Sequence, residues 1–164
     1  MHFTHLPDSA RLWAFGVEPA PDAEAAARVL DEVDAFLDGW KAHGQDLSAA
    51  SEWLHGRFLL VAVDEDVTPP SGCSIDALVH RLKGLEEELG LSIVGGAPIW
   101  YRTGPDAGSE IRRVPRPDFR DLAASGEVAA ETVVFDLSIT RLGDLRGGGW
   151  ETTAGQSWHR RYLP

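Results

Sequence analysis

The sequence predicts an α+β fold: a single domain with a mostly antiparallel sheet, two long amphipathic helices and one or two short ones. Three observations predict it. Short β-rich segments come in neighbouring pairs, and helical stripes do not alternate strictly with them. The third is size and composition. The chain has 164 residues, 43% hydrophobic and 25% charged, enough to bury a core as one domain over 1–164, with 1–10 as a loose N-terminal tail. No internal repeat and no long linker divides it.

Leu12-Trp13-Ala14-Phe15 reads as a short strand closed by Gly16 and the Pro19/Pro21 punctuation. Ala26, Val29, Leu30, Val33, Phe36, Leu37 and Trp40 then recur at offsets of three and four, an amphipathic helix that Gly44 is expected to end. Leu47 to Trp53 reads as an edge strand. The continuous apolar run from Phe58 to Val63 suggests a strand covered on both faces. A second helix is predicted over 74–89, with Gly90 as its stop and Ile75, Leu78, Val79, Leu82, Leu85 and Leu89 as its core stripe. Residues 99–102 and 110–114 read as hairpin arms around a Gly/Pro/Asp turn. Pro117 opens a short helix bearing Phe119 and Leu122, closed by Gly126. Thr132 to Phe135 is a further strand, and Gly147-Gly148-Gly149 a loop.

The formal net charge is −11, from 15 Lys+Arg against 26 Asp+Glu, which disfavours nucleic acid as a partner. The excess sits entirely in residues 1–101, with 6 basic and 17 acidic side chains; residues 102–164 hold 9 of each. The longest apolar run is far short of the roughly 20 residues that span a bilayer, so no membrane is expected. The start lacks a basic, then apolar, leader pattern, and the one cysteine, Cys73, rules out an intrachain disulfide. Both point to the cytoplasm.

Several motifs are absent. There is no Gly-Lys pair for a phosphate loop, no Gly-x-Gly-x-x-Gly, no His-Glu-x-x-His, no Cys-x-x-Cys and no Gly-x-Ser-x-Gly. No cofactor and no metal are expected. His2 and His5 at a chain terminus are too few to hold an ion. Asp64-Glu65-Asp66 reads as a solvated acidic turn, because adjacent carboxylates at a strand end point apart.

One segment combines features that suit a ligand. Ser71-Gly72-Cys73-Ser74-Ile75-Asp76 joins the buried strand to the second helix. Small residues leave room there, and a helix start offers unpaired N–H groups and the positive end of the dipole. A thiol at that end tends towards the thiolate. At 100° per residue, Cys73, Asp76 and His80 form one polar stripe away from the core, with Cys73 and His80 roughly 10 Å apart along the axis. Any base for Cys73 must therefore come from elsewhere, and His159 is the candidate. Two considerations favour an ordinary helix start: Ser71 or Ser74 serves as N-cap, and Asp76 in the first turn is what the dipole of any helix favours. Arg112, Arg113, Arg116 and Arg120 form a basic group interspersed with Glu110, Asp118 and Asp121, which reads as a salt-bridged surface. Trp13 and Trp40 lie on apolar stripes, whereas Trp150 and Trp158 are placed to line an exposed groove.

Ser71 to Asp76, together with Val63-Asp64-Glu65, Val134-Phe135-Asp136 and Ser157-Trp158-His159-Arg160-Arg161, resembles a family of small bacterial proteins of uncharacterised activity. These often carry the automatic label "ABC transporter ATPase". The resemblance implies a soluble bacterial protein; the Walker motifs the label requires are missing. Phe119-Arg120-Asp121-Leu122, Gly126-Glu127-Val128 and Thr132-Val133-Val134 resemble part of the GYF-type domains, without the Gly-Tyr-Phe signature. That resemblance implies an aromatic surface for Pro-rich peptides.

The reading that follows is a non-catalytic binding or interaction protein with a small-anion site at Asp64, Ser71, Gly72, Cys73, Ser74 and Asp76, and Arg160 as a wall residue. The partner is then a small anionic ligand or a protein. The alternative is a thiol-dependent enzyme with Cys73 as nucleophile and His159 as general base. A third reading is a GYF-like peptide-binding module in the C-terminal third.

Overall fold

The computed structural model describes residues 3–164, so His2 of the His2/His5 pair lies outside the described residues. The fold is α+β, with antiparallel sheets throughout. Its contacts separate two compact units. The first takes the chain up to Gly95 and again over Ser138–Arg146; the second takes Gly96–Leu137 and Gly147–Pro164.

In the first unit, β1 (Arg11–Gly16), β4 (Ala49–Leu54) and β5 (Phe58–Val63) form a sheet with β5 central. All six residues of β5 are buried, as its continuous apolar run predicts, and β4 is the expected edge. Helix α1 (Ala23–Asp38) starts where the Asp22 side chain accepts the Ala25 N–H, and α2 (Gly72–Leu89) ends at Gly90 in the left-handed region. Val29, Val33 and Leu37 of α1 and Leu78, Leu82 and Leu85 of α2 pack with Leu59, Val61 and Val63. Each such side chain contributes about 1.5–3 kcal/mol on burial.

Two expectations need correcting here. Helix α1 ends at Gly39, not Gly44, because the next residues turn back as a small hairpin, β2 (Lys41–Ala42) and β3 (Gln45–Asp46). His43 and Gly44 make its turn, both with positive φ. Trp40 therefore leaves the helix, although its spacing continues the stripe, and its indole N–H donates to the Ser74 carbonyl at 2.8 Å. Residues 3–10 pack rather than dangle: Phe3, Leu6 and Ala10 are all buried. Helix α4 (Leu142–Arg146), too short to show a periodicity, is tied to this start by Arg146, which donates to Asp8 and to the Phe3 carbonyl.

The second unit is a four-stranded antiparallel sheet in the order β7 (Ile111–Val114), β6 (Ile99–Arg102), β8 (Val133–Phe135), β9 (Glu151–Thr153). Helix α3 (Arg116–Ala124) begins after Pro115 with Pro117 in its first turn, where a missing N–H costs nothing. Ile99, Tyr101, Phe119, Ala123, Val128, Val134 and Ala154 form the core. The chain closes in two 3-10 turns, Ala154–Gln156 and Trp158–Tyr162. Among the described residues no helix is long and apolar enough to cross a membrane.

Candidate functional site

The sequence-nominated residues fall in both units. Asp64, Ser71, Gly72, Cys73, Ser74 and Asp76 belong to the first; His159 and Arg160 belong to the second. Ser71 is the N-cap of α2. Its hydroxyl accepts the Ser74 N–H at 3.1 Å, while the Ser74 hydroxyl accepts the Ser71 N–H and donates to the Ser71 carbonyl, both at 2.7 Å. This reciprocal capping box uses both functions of the Ser74 hydroxyl and an acceptor site of the Ser71 hydroxyl. Ser74 is buried, and the Ser71 O–H with the Gly72 and Cys73 N–H groups is what the helix start still offers a ligand. Cys73, Asp76 and His80 are all exposed, the polar stripe that helical spacing requires. The carboxylates nearby in sequence are already engaged. Asp64 accepts the Asp66 N–H at 3.0 Å, and Glu65 pairs with Arg141 at 2.9 Å. Among the described residues no group of three or more metal-ligating side chains is gathered.

The second unit gathers a different set. Ser157 caps the last 3-10 turn, and its hydroxyl lies 2.7 Å from Nδ1 of His159. His159 is 1% exposed, and its Nε2 has no hydrogen-bond partner among the described residues. Burial lowers its pKa from the usual 6.5 to about 4; Asp136 opposes this, and Arg116 and Arg161 add to it. The ring is therefore neutral at pH 7 and a weak base. It stacks on Trp158, centroids 3.8 Å apart, and meets the edge of Phe119 at 6.3 Å. The Trp158 indole N–H donates to Asp136 at 2.9 Å.

Around this stack stand arginines. The guanidinium of Arg116 lies 4.9 Å from the centre of the Trp158 ring, and that of Arg161 lies 5.7 Å from it. Arg120 sits 5.3 Å from the Tyr162 ring. Arg112 pairs with Glu110, as the salt-bridged reading of this segment expects. The rest of the group departs from that reading: no carboxylate pairs with Arg113, Arg116, Arg120, Arg160 or Arg161 among the described residues. Beside Trp158 runs a groove of about 570 Å³ lined also by Gln156, Ser157, Arg160 and Arg161.

The convergence of Arg116, Arg161 and Asp136 on Trp158 is what sequence reasoning missed. A signal for it exists: Arg116/Arg120 and Trp158/Tyr162 share a spacing of four, so a helix and a helical turn can meet rung by rung. Comparison with known protein families, with curated proteins and with solved structures finds no match.

Proposed function

We propose that this is a non-catalytic binding protein, and that its second unit carries the contact surface for an anionic ligand or an acidic protein segment. The observation that carries the reading is the set of five arginines without carboxylate partners among the described residues, two of them on Trp158 beside the groove. Among the described residues of this unit, Glu151 holds Arg102 and Glu110 holds Arg112, and no carboxylate takes the other five arginines. Guanidinium groups are fitted to carboxylates and phosphates by their planar fork. The start of α2 receives less support as the anion site, because its capping box already uses the Ser74 hydroxyl and an acceptor site of the Ser71 hydroxyl. Binding is favoured over thiol chemistry on similar grounds. An imidazole with a pKa of about 4, bonded to Ser157, is poorly matched to taking a proton at neutral pH. A protein of net charge −11 also suits a short anionic group better than a long polyanion.

The test is calorimetric titration of the full chain with an oligoglutamate peptide at low salt. Binding is expected, and the double variant Arg160→Glu/Arg161→Glu should abolish it while Ser71→Ala leaves it intact. Loss on Ser71→Ala with retention in the double variant would return the site to α2. No binding by the wild-type chain would count against the reading altogether.

A further inference from the structure

His159 lies flat against the Trp158 indole, with 23° between the rings, so one face is covered. The guanidinium groups of Arg116 and Arg161 lie 4.9 and 5.7 Å from the ring centre. The tryptophan thus acts as a platform that orients cations. Backbone contacts complete the orientation. Nε of Arg116 donates to the Ala97 carbonyl at 2.8 Å, and Nε of Arg161 donates to the Trp158 carbonyl at 3.2 Å. Each guanidinium is therefore held by its inner nitrogen and by its contact with the ring. The terminal amino groups, the two-pronged end of the fork, have no protein acceptor among the described residues. Two like charges held against one ring repel each other, which an anion between them would relieve.

We propose that Arg116 and Arg161, both held beside Trp158, form a clamp for a phosphate monoester. The inference rests on the binding reading above and names its ligand class. A carboxylate has two oxygens and one charge, enough to satisfy a single fork. A phosphate monoester carries about −1.5 to −2 charges and three strong acceptor oxygens, which can meet both forks at once. Prior fixation of both guanidinium groups lowers the ordering cost of binding. Asp136, bonded to the indole N–H, is the carboxylate nearest the stack and opposes any anion there, so a weak monoanion should be rejected first. The monoester could belong to a free metabolite or to a phosphorylated peptide.

NMR titration of the full chain, following the Trp158 indole N–H and the arginine side-chain N–H signals, tests this with four probes. These are glycerol 3-phosphate, a phosphoserine peptide, acetate and dimethyl phosphate. The monoesters are expected to bind at least about tenfold more tightly than acetate or the diester, since they gain further charged hydrogen bonds. Equal affinity for the two monoesters makes the phosphate group sufficient; much tighter binding of the peptide identifies a phosphorylated protein as the source. Arg116→Lys and Arg161→Lys, which keep the charge and lose the fork, should each weaken monoester binding about tenfold. Retained affinity in both lysine variants, or no preference over acetate and the diester, would overturn the clamp. If the monoesters fail while oligoglutamate still binds in an Arg160/Arg161-dependent way, the clamp falls and the binding reading stands. If oligoglutamate fails as well, both fall.

Discussion

His159 gives one ring nitrogen to the Ser157 hydroxyl and buries the other beside Phe119. Its folded pKa of about 4 lies below the 6.5 of an exposed imidazole, so between those values the unfolded chain holds more protons than the folded one. Stability from this residue is complete above pH 6.5 and is lost as pH falls towards 4, by about 3 kcal/mol in all. Denaturant unfolding from pH 7.5 to 4 should show a weaker pH dependence for His159→Gln than for the native chain; parallel curves would contradict the assignment. Glu52 on β4 is a second residue of this kind, 4% exposed, with Oε1 lacking a hydrogen-bond partner among the described residues. Glu52→Met, of similar volume, should raise the unfolding free energy by about 1–2 kcal/mol, and a fall would show that the carboxylate has a structural use. Neither residue's role was legible beforehand. A histidine in a short terminal turn belongs to no stripe, and its burial depends on Phe119, distant in sequence. Cys73, Asp76 and His80 were legible, because helical spacing alone decides that they share an exposed face.

At the scale of elements, α2 shows how far punctuation carries. The sequence offers Ser71 or Ser74 as its start and Gly90 as its stop; in the structure Ser71 and Gly90 are the caps, and the helix begins two residues earlier than the predicted 74. Ser71→Ala removes the acceptor for the Ser74 N–H and should cost about 1 kcal/mol in thermal or denaturant unfolding. Gly90→Ala should cost a comparable amount, about 1 kcal/mol, because φ is +67° there, although nothing crowds the added methyl group. A neutral result for both would mean that tertiary packing alone fixes the ends of the helix. Helix α1 was read too long for a physical reason. Trp40 continues its apolar spacing, yet its side chain is held by the Ser74 carbonyl and by the edge of Trp13, after the helix has stopped at Gly39. Strands β2, β3 and β9 and helix α4 span two to five residues, too few for any period to appear. β9 exists by pairing with β8, remote in the chain, and β2 and β3 by pairing with each other.

Across the whole molecule, the acidity divides along the two units. The first holds 8 basic and 18 acidic side chains; the second holds 7 and 8, and its basic ones are all arginine. The composition shift was visible in the sequence, but the expectation that Arg112, Arg113, Arg116 and Arg120 pair with Glu110, Asp118 and Asp121 is met only at Arg112 among the described residues. Pairing is decided by which side chains the fold brings within reach, and α3 directs Arg116 and Arg120 onto Trp158 and Tyr162 instead. An anion held there by exposed guanidinium groups should dissociate more readily as salt rises, so affinity for oligoglutamate is expected to fall steadily between low and physiological ionic strength. Salt-independent affinity would point to an apolar contact. The most direct measurement of the account is a backbone and side-chain NMR map of the native chain titrated with that peptide. The account predicts that the Trp158 indole N–H and the Arg116, Arg160 and Arg161 side-chain signals move first, while the Gly72–Ser74 amides stay in place. Movement confined to Gly72–Ser74, or no movement anywhere, would contradict it.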